Sequence, residues 1–409
     1  MIVRGGTVVT ARGVEKADTA IAGEQIAAVG VNLPEDGEEI DATGLHVFPG
    51  GIDSHVHFNE PGRTEWEDIA HGSAALLAGG YTCFVDMPLN NLPVTTTVEA
   101  FDLKLTAMER SAKVDYGLWG GLVPGNLDQL EPLAKRGVMG FKAFMCPSGI
   151  DEFPAADERT LREGMKQIAE LDSILLVHAE DPADLREPRG ASAADFIESR
   201  PVEAEISAIA NAIKWAAEAG CRLHIVHVSS LAGAELIVRS KHDVSGETCP
   251  HYMLYVGQDM ARIGGTAKCA PPFRMESMRI LPIVVSDHSP STLDLKQGDD
   301  FRKIWGGISG CQSTRQLLLA QDRLDLPTIA AVTSTNIARR FRIASKGDIA
   351  PGFDADLWLV DLSHEDVVRR EDLLYKNQFS VHEGQKIRGR TVKTLTRGVP
   401  KLIRPGARS

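Results

Sequence analysis

Residues 51–66 read GIDSHVHFNEPGRTEW, and the fold is read outward from this stretch. His55 and His57 are two positions apart. Alternate residues of a strand share a face, so both imidazoles point the same way if the segment is extended. Two neutral imidazoles aimed at one point form a ligand pair for a divalent metal. Alone, the pair is equally two unrelated histidines at a strand end. The positions of other candidate ligands decide.

Downstream of this stretch, short apolar runs alternate with segments of helical period. TEWEDIAHGSAALLAGG precedes YTCFVDMP, ERTLREGMKQIAELD precedes ILLVHAE, and VEAEISAIANAIKWAAEAG precedes LHIVHVSS. The runs are continuously apolar rather than alternating, as in parallel strands covered on both faces. Eight such strands with helices between them point to an α/β fold, a (β/α)8 TIM-type barrel over residues 49–344, more than to an open doubly wound sheet. No G-x-G-x-x-G follows the first strand, so there is no dinucleotide fingerprint. One crossover is short: only FRMESMRILP separates a loop at Pro272 from the eighth strand at Ile283, where at least ten to twelve residues including a helix are usual. Either the seventh helix is vestigial or residues are missing there.

Both ends have a different texture. Residues 1–48 and 345–409 show strand-like alternation and Gly/Asp turns without helical period, as in IVRGGTVVT and FDADLWLVDL. The two ends are expected to combine into one small β-sandwich domain beside the barrel.

Composition narrows the function classes. The 409 residues carry 44 basic and 56 acidic side chains, a net charge of -12, with no Lys/Arg-rich run, which argues against a nucleic-acid partner. No run reaches the roughly 18 apolar residues that span a bilayer, and MIVRGGTVVTARG lacks the apolar segment of a secretion leader. The six cysteines are scattered with no C-x-x-C, as expected for reduced thiols in a cytoplasmic protein.

Polar residues end the apolar strands. His55 and His57 close the first, Lys142 lies in the fourth (GFKAF), His178 ends the fifth, His227 the sixth and Asp287 the eighth. C-terminal strand ends of a barrel converge on one mouth, where chemistry sits. Each residue singly could be a satisfied core group. As a set they would cost several kcal/mol apiece unpaired, and metal coordination removes that cost. A buried lysine can lose its proton, and the neutral amine can then take up CO2 to form an anionic carbamate.

This pattern, D-x-H-x-H on the first strand with a strand-four lysine, histidines on strands five and six and a strand-eight aspartate, resembles the amidohydrolase superfamily. More narrowly it is similar to the cyclic amidohydrolases, the dihydroorotases, hydantoinases and allantoinases, over nearly the whole chain. The resemblance implies a binuclear site, usually zinc, with cobalt, nickel or manganese as alternatives. It places His55 and His57 on one metal, completed by Asp287, and His178 and His227 on the other, bridged by N6-carboxylated Lys142. Dihydroorotases carry an arginine two residues after the H-x-H to hold a substrate carboxylate. Asn59 stands there in this chain, and a neutral amide suits an uncharged ureido group instead. HVHFNEPGRTEWE, DMPLN, SGIDEFP, ETCPHY, CAPP, SDHSP and WGGISGCQ are together similar to the allantoinase branch. That resemblance implies hydrolysis of a ring amide of allantoin, a small-molecule substrate, by a homotetramer.

The expected mechanism has a metal-activated water attack the ring carbonyl, with Asp287 taking its proton and handing it to the departing nitrogen. Asn59 and Asn90 are the expected substrate contacts, with Ser148 and Ser289 as further candidates. Asp53 either steadies an imidazole or makes a strand-end hydrogen bond, and Cys249 and Cys269 are read as inert thiols. The rivals are a hydantoinase or dihydropyrimidinase and a non-catalytic scaffold of the same fold, which would typically have lost several of the six ligands.

Overall fold

The structure, a computed structural model, describes residues 1–34, 37–278, 281–397 and 401–406. Five strands open the chain: β1 (Ile2–Thr10), β2 (Gly13–Ala22), β3 (Gln25–Gly30), β4 (Glu39–Asp41) and β5 (His46–Pro49). The next nine are β6 (Gly51–Val56), β7 (Tyr81–Asp86), β8 (Asp115–Leu118), β9 (Gly120–Gly121), β10 (Phe141–Phe144), β11 (Ile174–His178), β12 (Arg222–Ile225), β13 (Val244–Thr248) and β14 (Ile283–Val284). Two long strands follow late in the chain, β15 (Leu357–Val367) and β16 (Lys386–Leu395).

Among the described residues, β6 to β14 form two parallel ladders in sequence order. One runs β6-β7-β8 and the other β9-β10-β11-β12-β13-β14. Trp119 alone separates β8 from β9, so the ladders follow one another along the chain. A parallel bridge between Val56 and His288 brings the segment after β14 back to β6. Every residue of β6, β7, β10 and β11 is buried, which explains the apolar texture of YTCFVD and ILLVH.

Helices fill the connections. They include α1 (Ile69–Ala78), α2 (Val98–Ser111), α3 (Leu130–Arg136), α4 (Glu158–Glu170), α5 (Ala193–Ser199), α6 (Val202–Ala219) and α7 (Leu231–Arg239). Asp68, Thr97, Asp157 and Ser230 cap α1, α2, α4 and α7 by accepting from a backbone amide in the first turn. On α4 the buried residues Leu161, Gly164, Met165 and Ile168 recur at helical spacing and form its inner stripe.

The connection from β13 to β14 differs from the others. Its helices, α8 (Pro250–Leu254) and α9 (Gly257–Ile263), follow β13 at once, and among the described residues 268–282 no helix occurs. Arg279 and Ile280, inside the suspect stretch, lie outside the described residues. His227 and Asp287 also sit slightly beyond the expected strand ends, because β12 stops at Ile225 and β14 at Val284.

Both ends of the chain meet in one seven-stranded sheet, ordered β16-β15-β5-β1-β2-β3 with β4 on β1. Val3, Val8, Val47, Leu357 and Leu359 give it a core distinct from that of the parallel ladders. Two buried cations tie it to them. Arg315 donates to Gly80 O at 2.7 Å and Pro49 O at 3.1 Å, with its guanidinium 4.2 Å from the Trp358 ring centroid. Lys346 Nζ pairs with Asp115 of β8 at 2.7 Å and Asp354 at 3.2 Å, and also with Asp356.

Candidate active site

At the C-terminal ends of the parallel strands lies a cavity of about 340 Å³, and His55, His57, His178, His227 and Asp287 line it together. The ligand atoms of His55, His57 and Asp287 lie within 4.8 Å of one another. His55 Nε2 is 3.1 Å and His57 Nε2 3.5 Å from Asp287 Oδ1. On the other side His178 Nδ1 is 3.0 Å from His227 Nε2. The His55 and His227 ring centroids are 5.4 Å apart, so the two groups adjoin. Lys142 is wholly buried beside them, and its Nζ has no hydrogen-bond partner among the described residues.

The backbone is strained where this geometry is set. Asn90, His227 and Asp287 have φ of 74°, 37° and 47°. Non-glycine residues rarely adopt these values, and such outliers gather at functional sites.

Electrostatics sort the groups by charge. Burial pushes His57 down to about 4 and holds His178 and His227 below the ordinary imidazole value, so all three are neutral, the form that donates a lone pair. Burial opposes ionisation of Asp287, but the imidazole of His55 beside it, the hydrogen bond from His57 and the nearby His227 outweigh burial and keep it a carboxylate. Burial lowers the Lys142 amine to about 7 against the opposing pull of Glu247 and Asp287. Burial pushes the Cys249 and Cys269 thiols up, Cys269 to about 12, so both stay protonated.

These residues fit a pair of divalent cations on an internal argument. Glu247 is buried, and although burial opposes ionisation, the adjoining His55 and the hydrogen bonds from His224 and His55 hold it at about 2. A carboxylate only accepts, so at 2.5 Å from Glu247 Oε1 the Nδ1 of His55 must carry hydrogen. A neutral ring then has its lone pair on Nε2, which faces the Asp287 carboxylate oxygen. Two electron-rich atoms at that separation call for a cation between them. The unpartnered Nζ of Lys142 is a second unsatisfied group at the same place.

The four expected substrate contacts separate by position. Asn90, Ser148 and Ser289 line the cavity, and Asn90 Nδ2 donates to Ser289 Oγ at 3.3 Å. The Ser148 hydroxyl is committed to Phe153 O at 2.6 Å. Asn59 is fully buried outside the cavity lining, with Nδ2 donating to Asn90 O at 3.4 Å. Asp53 makes the strand-end bond: its Oδ1 accepts from the amides of His55 at 3.2 Å and Ser286 at 3.3 Å.

Sequence reasoning passed over Glu180, His224, Glu247 and Arg200. Glu180 Oε2 accepts from His178 Nε2 at 2.8 Å and from Arg200 Nη1 at 3.0 Å. Glu180 stands two residues after His178 in LLVHAE, and Glu247 in the polar run SGET, positions at which an acid at a buried strand end invites a question. Their partners come from other strands and could not be read locally.

Residues 46–393 match the amidohydrolase family. A curated relative from Rubrobacter xylanophilus named allantoinase is 51% identical, with 97% of this chain and 93% of the relative covered. One from Solibacter usitatus, also named allantoinase, is 48% identical over 97% of this chain and 92% of its own length. Among solved structures, the L-hydantoinase (dihydropyrimidinase) of Arthrobacter aurescens superposes with a TM-score of 0.93 at 30% identity, covering 100% of this chain and 97% of that one. A dihydropyrimidinase from Brevibacillus agri gives 0.90 at 28% identity, covering 100% and 99%.

Proposed function

The chain belongs to the amidohydrolase family and is a hydrolase of cyclic amides, and on that premise we propose that it is an allantoinase, opening the hydantoin ring of allantoin to linear allantoate. The observation that carries this reading is the convergence of four imidazoles and one carboxylate at one cavity, with an unpartnered lysine buried beside them, in a chain half identical over nearly its full length to a relative named allantoinase. The two parallel ladders are read as one (β/α)8 barrel over 49–344, and the sheet from 1–48 and 345–409 as its accessory β-domain.

His55, His57 and Asp287 would hold one cation and His178 and His227 the other, with Lys142 as a carbamate between them. Zinc suits these nitrogen and oxygen donors, as do cobalt, nickel and manganese. When bound, such cations supply an ionised water near neutral pH and polarise a carbonyl.

The chain's own groups do the rest. Asp287 Oδ1 accepts the proton of the attacking water and returns it to the departing ring nitrogen as the C–N bond breaks. Phe144, stacked on His178 with centroids 4.5 Å apart, forms an apolar wall that keeps bulk water from the ring. Asn90 and Ser289 present an uncharged polar edge to the ureido group. Asn59, behind Asn90, holds its backbone carbonyl, and no arginine stands there to favour a carboxylate-bearing ring.

The hydantoinase reading has one observation in its favour, the superposition on the Arthrobacter enzyme. Turnover on allantoin, hydantoin, dihydrouracil and dihydroorotate, with a metal count on the same preparation, decides between them. Allantoin turned over fastest by a sample holding two cations supports the proposal. A preference for hydantoin or dihydrouracil overturns it. The six buried cysteines, all free, agree with a reducing, cytoplasmic setting, and a homotetramer is part of the same proposal, tested by light scattering.

A further inference from the structure

Each half of the site carries a buried carboxylate that touches an imidazole on the nitrogen opposite the one facing a neighbouring candidate ligand. Glu247 Oε1 takes His55 Nδ1 at 2.5 Å, while its Oε2 takes His224 Nε2 at 3.0 Å. His224 is fixed in turn, its Nδ1 lying 2.7 Å from Ser245 Oγ. On the other side Glu180 Oε2 takes His178 Nε2 at 2.8 Å and Arg200 Nη1 at 3.0 Å. Both carboxylates are wholly buried.

The two contacts select opposite ring nitrogens. A carboxylate accepts and cannot donate, so it fixes the tautomer of the ring that it holds. Glu247 leaves the lone pair of His55 on Nε2, the atom facing Asp287. Glu180 leaves the lone pair of His178 on Nδ1, the atom facing His227 Nε2. The anchors differ as well. Glu247 is held from the floor of the strands, by β12 and β13. Glu180 is held by Arg200, which follows α5, lines the cavity, and gives its own carbonyl to Arg274 Nη1 at 2.6 Å.

We propose that Glu247 and Glu180 are positioning residues for different cations: Glu247 sets His55 for the first, and Glu180, anchored by Arg200, sets His178 for the second. The inference rests on the two-cation reading above. It has a consequence that a shared structural role would lack, namely that each carboxylate governs one ion and leaves the other in place. It also makes the cavity wall at Arg200 a determinant of how tightly the second ion is held, although Arg200 touches no ligand.

The test is equilibrium binding of zinc to the metal-free protein, by competition with a chromogenic chelator, for wild type, Glu247→Gln, Glu180→Gln and Arg200→Met. Wild type is expected to bind two equivalents. Each variant should keep one equivalent at wild-type affinity and bind the other about 10–100-fold more weakly. Arg200→Met should resemble Glu180→Gln, and the variant carrying both Glu247→Gln and Glu180→Gln should be weakened at both ions. Circular dichroism of the metal-free variants should show the wild-type fold, so that a lost equivalent reports on the site. Two tight equivalents in Glu247→Gln and Glu180→Gln overturn the proposal. So does equal weakening of both ions in either, or a variant that cannot be isolated folded. Wild type that binds no zinc or a single equivalent sinks the two-cation reading instead, so the two failures are distinguishable.

Discussion

Lys142 Nζ sits over the ring of Phe144, 4.9 Å from its centroid, and makes no hydrogen bond to any described residue. Burial disfavours a permanent ammonium in this position more than the nearby Glu247 and Asp287 carboxylates favour it. Burial lowers the amine to about 7, so near neutrality it can shed its proton and react as a nucleophile. The structure therefore gives a physical reason for the residue type as well as its place.

Two outcomes follow for this lysine. If Lys142 bridges two cations as proposed, Lys142→Ala should cut kcat by on the order of 10³-fold. Steady-state kinetics and a metal count check it. The sign of the pH effect is fixed: only the neutral amine reacts with CO2, and the protonated fraction grows as pH falls through about 7. Reconstitution of metal-free protein with zinc at a fixed concentration of dissolved CO2 should therefore slow on going from pH 8 to pH 6. A rate flat across that interval contradicts the carbamate.

Asp287→Asn should keep most of its metal yet lose about 10²–10⁴-fold in kcat. The amide can still present an oxygen toward His55 and His57 but cannot take a proton from water. Full turnover in that variant removes Asp287 from the reaction.

Asn90→Ala tests the polar edge of the cavity. It deletes an uncharged hydrogen-bonding group and leaves Ser289 Oγ without its present donor. One such interaction contributes about 0.5–1.5 kcal/mol, so KM for allantoin should rise roughly 2- to 12-fold. A larger loss confined to kcat would mean that Asn90 acts on the transition state alone.

Lys346→Met tests the weld between the terminal sheet and the parallel strands. The substitution takes the lysine cation from Asp115, Asp354 and Asp356, all buried, leaving Arg397 as the remaining cation on Asp115 and Asp354. Breaking a buried ion pair by removing one partner costs about 3–5 kcal/mol. Urea unfolding should register a loss of that size, whereas an unchanged midpoint would show the cluster to be incidental.

Local pattern alone determined a good deal. The apolar texture of YTCFVD and ILLVH announced buried parallel strands because every residue there is covered on both faces, a property that composition records directly. His55, His57, Lys142, His178, His227 and Asp287 could be singled out because polar groups at the ends of apolar runs are costly without a purpose. Tertiary structure decided the remainder, since it depends on contacts between distant segments. Whether Asn59 meets the cavity or stands behind Asn90 is set by the packing of two loops 31 residues apart. That Glu247 faces His55, 192 positions earlier, follows from the order in which the strands are arranged, and no local period encodes it. A side chain's type and approximate address are written in its neighbours along the chain, but its hydrogen-bond partner is chosen only when the chain folds back on itself.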